Sequence, residues 1–334
     1  MPLITEREAV CAIYRQAGVR GWVVPTFCAE NLTTIEAVLA AVHAHGQSIG
    51  DPHLPITLAV TNLYAHRAQS TWYTQTRDWA VGLKLFLADL HVLTSPGSPY
   101  ADLAVMVHLD HIQPEADAEL LQWDLRQFSS IMYDASALPL EQNITTTRAF
   151  MRAHGAEIVI EGACDEIRDA GGQERCACTT PEEAEHYAAE TGVDFLVVNL
   201  GTEHRASAAE LTYHGEVARA ISRRVGAKLV LHGCSSVPAG QLGALYADGV
   251  CKVNIWTVLE RDSSTRLFTD MLHHPAHIAG RAVAAQLQQT GLLGPRVDCD
   301  HPADLGYFTT AYRQQIVFEA MREIVRGYLR IWYV

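Results

Sequence analysis

The feature that most narrows the folds open to this chain is an alternation that occurs eight times along it. Short apolar runs of strand length, rich in β-branched residues, are separated by longer amphipathic stretches. The runs are Trp22–Phe27, Ile56–Thr61, Leu103–Asp110, Ser129–Asp134, Glu157–Gly162, Phe195–Gly201, Lys228–Gly233 and Val250–Ile255. Several of the stretches between them, such as "NLTTIEAVLAAVHAHG" and "TPEEAEHYAAETG", open on a capping residue and close on glycine, the punctuation of a helix. Runs that are apolar throughout, rather than at every second residue, must be covered on both faces. That is the condition of a parallel sheet wrapped by helices, and eight such strands in 334 residues favour a closed (β/α)₈ TIM barrel over an open sheet. The predicted barrel covers about residues 20–260, with an extra helix between Thr61 and Leu103. Residues 261–334 are expected to form additional C-terminal helices packed on the barrel within one domain, because no Gly/Ser/Pro-rich linker precedes them.

Charge narrows the partners. With 38 acidic against 25 basic side chains the formal charge is −13, and no Lys/Arg-rich run interrupts it, so nucleic acid and anionic membranes would be repelled. Met1 to Arg20 lacks an apolar signal core, and no later stretch approaches the roughly 20 apolar residues of a membrane span. A cytoplasmic protein with a small-molecule substrate is expected. The eight cysteines are scattered, and Cys176 and Cys178 in "RCACTT" lack a second pair at zinc-finger spacing, so reduced thiols are favoured over a redox or metal role.

The ionisable residues fall at strand ends. Asp110 and His111 close the third run, Asp134 the fourth, Glu161 the fifth, His232 the seventh and Asn254 the eighth, and His204 follows the sixth by a short turn. One such histidine is more often a hydrogen-bonded loop residue than a ligand, and one such acid often caps the next helix. A barrel, however, gathers its C-terminal strand ends on one face. Three imidazoles and a carboxylate meeting there form a ligand set suited to zinc, with Asp110 beside it as a candidate base. His108 alternates with Asp110 along its strand and either shares the pocket or supports it from behind. Most other histidines, His45 and His66 among them, read as solvated.

In this order, "VHLDH", "SSIMYDASALPLEQNI", "IVIEGA", "TTPEEAEHYAAETGVDFLVVNLGTEH", "KLVLHGCSSVP" and "GVCKVNIWT" resemble the motifs of the class II, metal-dependent fructose-bisphosphate aldolase family, which includes the tagatose-bisphosphate aldolases. The resemblance runs from about Val24 to Thr257. It implies that His111, His204 and His232 bind zinc or another divalent metal, with Glu161 as a nearby or alternate ligand. It gives Asp110 the acid/base role. It sets Asp134, Gly233, Ser235, Asn254 and Thr257 along the ketose and its phosphate, and Thr61 where the family usually carries a hydroxyl. A monovalent cation beside the phosphate and a homodimer or homotetramer are further implications. The implied reaction cleaves or forms a C–C bond of a ketose phosphate or related polyhydroxy ketone through a zinc-stabilised enediolate, which needs no Schiff base. The three lysines agree, since Lys228 and Lys252 border strands but do not end them and Lys84 lies in a helical stretch.

Three departures point to a specialised substrate. Arg205 stands where the family has a glycine after its second histidine, and either supplies a guanidinium to the substrate or obstructs the pocket. Trp256 in "NIWT" is a bulky ring that either borders the phosphate site or packs into the helix layer. The loop "EGACDEIRDAGGQERCACTT" offers Glu166, Asp169 or Glu174 for a second proton transfer, without choosing among them. Two rivals follow: a metal-dependent epimerase or isomerase on the same scaffold, and a non-catalytic sugar-phosphate-binding homologue.

Overall fold

The computed structural model describes residues 3–165, 178–203 and 212–334. Eight parallel strands form a closed barrel in sequence order: β1 (Val24–Cys28), β2 (Pro55–Thr61), β3 (Ala104–Ile112), β4 (Ser130–Tyr133), β5 (Val159–Ala163), β6 (Phe195–Val197), β7 (Leu229–Leu231) and β8 (Val250–Ile255), the last pairing with β1. Every strand residue is buried, as the unbroken apolar runs required.

Helices α1 (Arg7–Arg20), α2 (Leu32–Ile49), α3 (Gln69–Trp72), α4 (Trp79–Leu93), α5 (Leu140–His154), α6 (Pro181–Thr191) and α7 (Gly215–Val225) precede and connect the strands. After β8 come α8 (Thr257–His273), α9 (Pro275–Ala279), α10 (Arg281–Gln289), α11 (Leu305–Phe308) and α12 (Thr310–Trp332). The interval after Thr61 holds α3 and α4, the connecting helix and the extra one for which its length left room. Local chemistry explains several boundaries. Asn31 and Asp78 cap α2 and α4 with side-chain carboxyl or carboxamide oxygens, and Thr180 with Glu183 forms a reciprocal capping box on α6.

The end of the barrel away from the strand C-termini is shut by the chain's own ends. The backbone N–H of Ile4 donates to the Val105 carbonyl, the Trp22 ring lies 4.6 Å from that of Tyr333, and the Tyr333 hydroxyl donates to the carbonyl of Pro55. His45, expected to be solvated, is buried with its ring at 3.0 Å from the Tyr333 carbonyl. Helix α12 lies against α2 and α8.

Inside the barrel, β3, β5 and β8 contribute a charged layer. Lys252 and Glu161 pair at 2.7 Å with both side chains fully buried, and His108 stands 3.7 Å from Glu161 and 3.6 Å from Asp110. A buried pair of this kind is strongly destabilising when one partner is removed, by about 3–5 kcal/mol, because the other charge is left without compensation. Lys252 therefore points into the barrel rather than merely bordering it.

Two strands end earlier than their apolar runs. β6 stops at Val197 and β7 at Leu231, leaving Asn199 to Glu203 and His232 to Ser236 as turns above the sheet. Asn199 bonds its own turn through the Gly201 amide, and Gly233 takes a left-handed φ of 69°, which no continuing strand accommodates.

Candidate functional site

β3 holds the centre of the site, and it does so through a local irregularity. Its pairing with β4 shifts register between Leu109 and Ile112, and His111 within that bulge has φ of 50°, an uncommon value for a residue with a β-carbon. The bulge re-aims His111, so that it shares a face of the site with Asp110 although the two are neighbours in sequence. His232 comes from the turn just beyond β7. One ligand atom each from Asp110, His111 and His232 lies within 4.8 Å of the others, and all three residues are buried.

The surroundings fix each member. The His111 Nδ1 is 2.7 Å from Asp134 Oδ2, which favours the tautomer with Nδ1–H donating, so that Nε2 is the nitrogen that could ligate a metal. The Tyr64 ring stacks on the His111 imidazole at 4.2 Å. On Asp110, Oδ1 accepts from Asn254 Nδ2 at 3.0 Å and Oδ2 from the Cys28 thiol at 3.3 Å. Burial alone would raise the Asp110 carboxyl, but His111, His108 and His232 outweigh it and hold it well below the ordinary carboxylate range. Burial likewise opposes charge on His111, and Asp110 and Asp134 reverse that, raising its pKa.

The donor set fits a divalent metal of the zinc type. The His111 and His232 imidazoles are borderline ligands within reach of one ion with the Asp110 carboxylate beside them, and the carboxylate behind His111 is the outer partner that metal-binding histidines normally have.

These groups open into a cavity of about 630 Å³, its mouth included. Of the residues singled out from sequence, Thr61, Asp110, His111, His232, Gly233, Ser235, Asn254 and Thr257 meet at this cavity, and Trp256 joins them. Ser235 Oγ and Asn254 Oδ1 are buried with no hydrogen-bond partner among the described residues, which leaves both to a polar ligand. Gly233 is required by crowding, since a β-carbon there would sit 2.7 Å from the Glu203 carbonyl oxygen. That contact, with Thr202 Oγ1 donating to the His232 carbonyl at 2.8 Å, brings the β6 turn directly beside the β7 turn.

Two residues stand elsewhere than the family likeness implied. Asp134 is not on the cavity wall but behind His111, with its second oxygen accepting from the Ser136 amide and hydroxyl. Glu161 lies in the layer beneath, where Lys252 takes its carboxylate, and is not part of the ligand cluster. His204 and Arg205, the loop acids Glu166, Asp169 and Glu174, and Cys176 lie outside the described residues. Cys178 is a free thiol.

Sequence reasoning missed one wall. Tyr64, His66, Arg67 and Gln69, from "TNLYAHRAQ" after β2, line the cavity, His66 as an exposed residue at its edge. The signal was present: the strand-end rule applied to Asp110 or His232 applies equally to polar and aromatic residues just past Thr61.

Residues 8–291 match the family model described as fructose-bisphosphate aldolase class-II. The D-tagatose-1,6-bisphosphate aldolase subunit GatY of Klebsiella oxytoca is 30% identical over 262 residues, covering 76% of this chain and 81% of that protein. Among solved structures, fructose-bisphosphate aldolase of Campylobacter jejuni superposes with a TM-score of 0.72 at 18% identity, covering 99% of this chain and 96% of its own. The YdjI aldolase of Escherichia coli K12 gives a TM-score of 0.64, also at 18% identity, over 96% of this chain and 95% of its own. These two likenesses speak for the fold.

Proposed function

The chain belongs to the class II fructose-bisphosphate aldolase family, and on that premise we propose that it cleaves and forms a C–C bond of a ketose phosphate with zinc as its metal. The observation that carries the reading is the convergence of Asp110, His111 and His232 at the floor of a cavity on the C-terminal face of the barrel. His111 and His232 would hold the metal, with His204, which the family likeness gives as the third ligand. A metal bound there would supply Lewis-acid polarisation of the substrate carbonyl and offset the negative charge left on the ketone fragment at cleavage.

The rest of the work belongs to the chain. Asp110 takes the proton from the hydroxyl at the scissile carbon on cleavage and returns it on condensation. Asn254 and the Cys28 thiol hold one oxygen each, so the carboxylate keeps a fixed orientation toward the cavity. A base of depressed pKa is ionised throughout the physiological range. Ser235, Gly233 and Thr257 receive the phosphate, the last as the first residue of α8, where unpaired backbone N–H groups favour an anion.

The test is retro-aldol cleavage of ketose bisphosphates by zinc-loaded protein, with products separated. Asp110→Ala should keep its metal and lose about 10²–10⁴ in turnover, whereas His232→Ala should lose both metal and turnover. Unchanged turnover in Asp110→Ala removes its acid/base role. Isomer formation without an aldehyde product would install the epimerase reading instead. Ligand binding with neither cleavage nor exchange at the α-carbon would install the non-catalytic one.

A further inference from the structure

The wall that β2 adds to the cavity holds a guanidinium in a particular way. Arg67 is clamped from behind by Glu30: Nε lies 2.9 Å from both carboxylate oxygens, and Nη2 also donates to Oε2. Its carbonyl accepts from the Thr61 hydroxyl, tying the backbone to the end of β2. The clamp uses one edge of the planar fork, and Nη1 on the other edge makes no hydrogen bond among the described residues, while the side chain is 34% exposed at the cavity. A guanidinium backed by a carboxylate and open on its far edge is a preorganised receptor for a planar or tetrahedral oxyanion.

Glu30 is shared among several donors. Its Oε1 also accepts from Trp256 Nε1 at 2.8 Å and Gln69 Nε2 at 3.2 Å, which fix the carboxylate and with it the direction of the Arg67 fork. Glu260, packed close by, is pushed up to about 7 by burial and by the charge of Glu30, which limits the second negative charge there. Arg77 stacks over the Trp72 ring at 3.7 Å while Arg67 lies 5.3 Å from the same ring, placing another cation at this edge. Trp256 thereby acquires a role: its indole N–H, just before α8, joins the phosphate-side turn to the Arg67 clamp.

We propose that Arg67 is a specificity-determining residue whose open edge binds an oxyanion, phosphate or carboxylate, carried by the substrate, with Glu30 and Trp256 as its positioning residues. This rests on the aldolase reading for the nature of the substrate, but the anion site itself does not require cleavage. The enzyme should therefore prefer substrates with an anionic group that reaches the β2 wall over those ending in a hydroxyl.

The test is calorimetric binding of inorganic phosphate and, separately, malonate to zinc-loaded protein, comparing wild type, Arg67→Gln and Arg67→Lys. Arg67→Gln should raise the Kd of the preferred anion about tenfold or more, and the anion affected identifies the group. Arg67→Lys keeps the charge and loses the fork, so its Kd should fall between; it also serves if Arg67→Gln does not fold, with a weakening of about threefold expected. Equal Kd values for both anions in wild type and the folded variants overturn the proposal. Cleavage of ketose bisphosphates by the wild type is scored independently: intact cleavage with no effect of Arg67 on anion binding sinks only this inference, and an Arg67-dependent anion site without cleavage sinks only the aldolase reading.

Discussion

Replacing Asp134 separates two roles for one residue. If it lines the substrate, as its place in the family motif implied, its loss raises KM and leaves the metal alone; if it orients His111, as the geometry indicates, its loss weakens the metal first. The bond is short at 2.7 Å, joins an imidazole 4% exposed to a carboxylate 7% exposed, and is charge-assisted. Hydrogen bonds to charged groups contribute about 1.5–3 kcal/mol, and outer partners of metal-binding histidines typically account for about 10–100-fold in metal affinity, or roughly 1.4–2.7 kcal/mol. The two scales agree. Asp134→Asn keeps a neutral acceptor for Nδ1–H but sets an amide against the Ser136 N–H, so about a tenfold loss is expected; Asp134→Ala removes the acceptor and should approach a hundredfold. The assay is zinc partitioning against a chelator of known affinity, followed by KM and kcat at saturating zinc. Zinc affinity unchanged in both variants, with KM raised, would refute the orienting role.

Other expectations follow from single features. Lys252→Met should destabilise the fold by about 3–5 kcal/mol in denaturant titration, while the double replacement with Glu161→Leu should recover most of it; additive losses would contradict the buried pair. Gly233→Ala should cost about 1–2 kcal/mol from its left-handed φ alone, and more from the Glu203 carbonyl, with loss of stability and turnover together. Glu260 holds its proton longer in the folded chain than in the unfolded one, rising from 4.5 to about 7, so the folded state binds more protons between those values and stability declines as pH rises through them. Glu260→Gln should therefore stabilise by up to about 3 kcal/mol at pH 8 and by little below pH 4.5; an equal effect at both would refute the reasoning.

Much of this was legible in the chain. Eight apolar runs in register with capped helices leave little but a closed barrel, and Asp110, His111 and His232 sit where any barrel gathers its strand ends. Placement within the site was not legible. Asp134 closes an apolar run just as Asp110 does, and only the bulge at His111, set by pairing with β4, turns that ring toward the Asp134 carboxylate. Glu161 reads as a strand-end acid, yet inward pointing at β5 puts it across from Lys252, a neighbour from β8 that no local pattern links to it. Arg67 was hidden because its partner Glu30 lies 37 residues away, after a different strand.

The measurement that bears most directly on the account is cleavage as a function of bound zinc. The protein is stripped by chelator, reloaded in steps, and assayed with fructose 1,6-bisphosphate and tagatose 1,6-bisphosphate while zinc is counted by elemental analysis. The account predicts that aldehyde release is absent without metal and rises in proportion to zinc, saturating near about one ion per chain. Cleavage that persists in the metal-free protein, or a fully loaded protein that releases no aldehyde from any ketose phosphate, would contradict it.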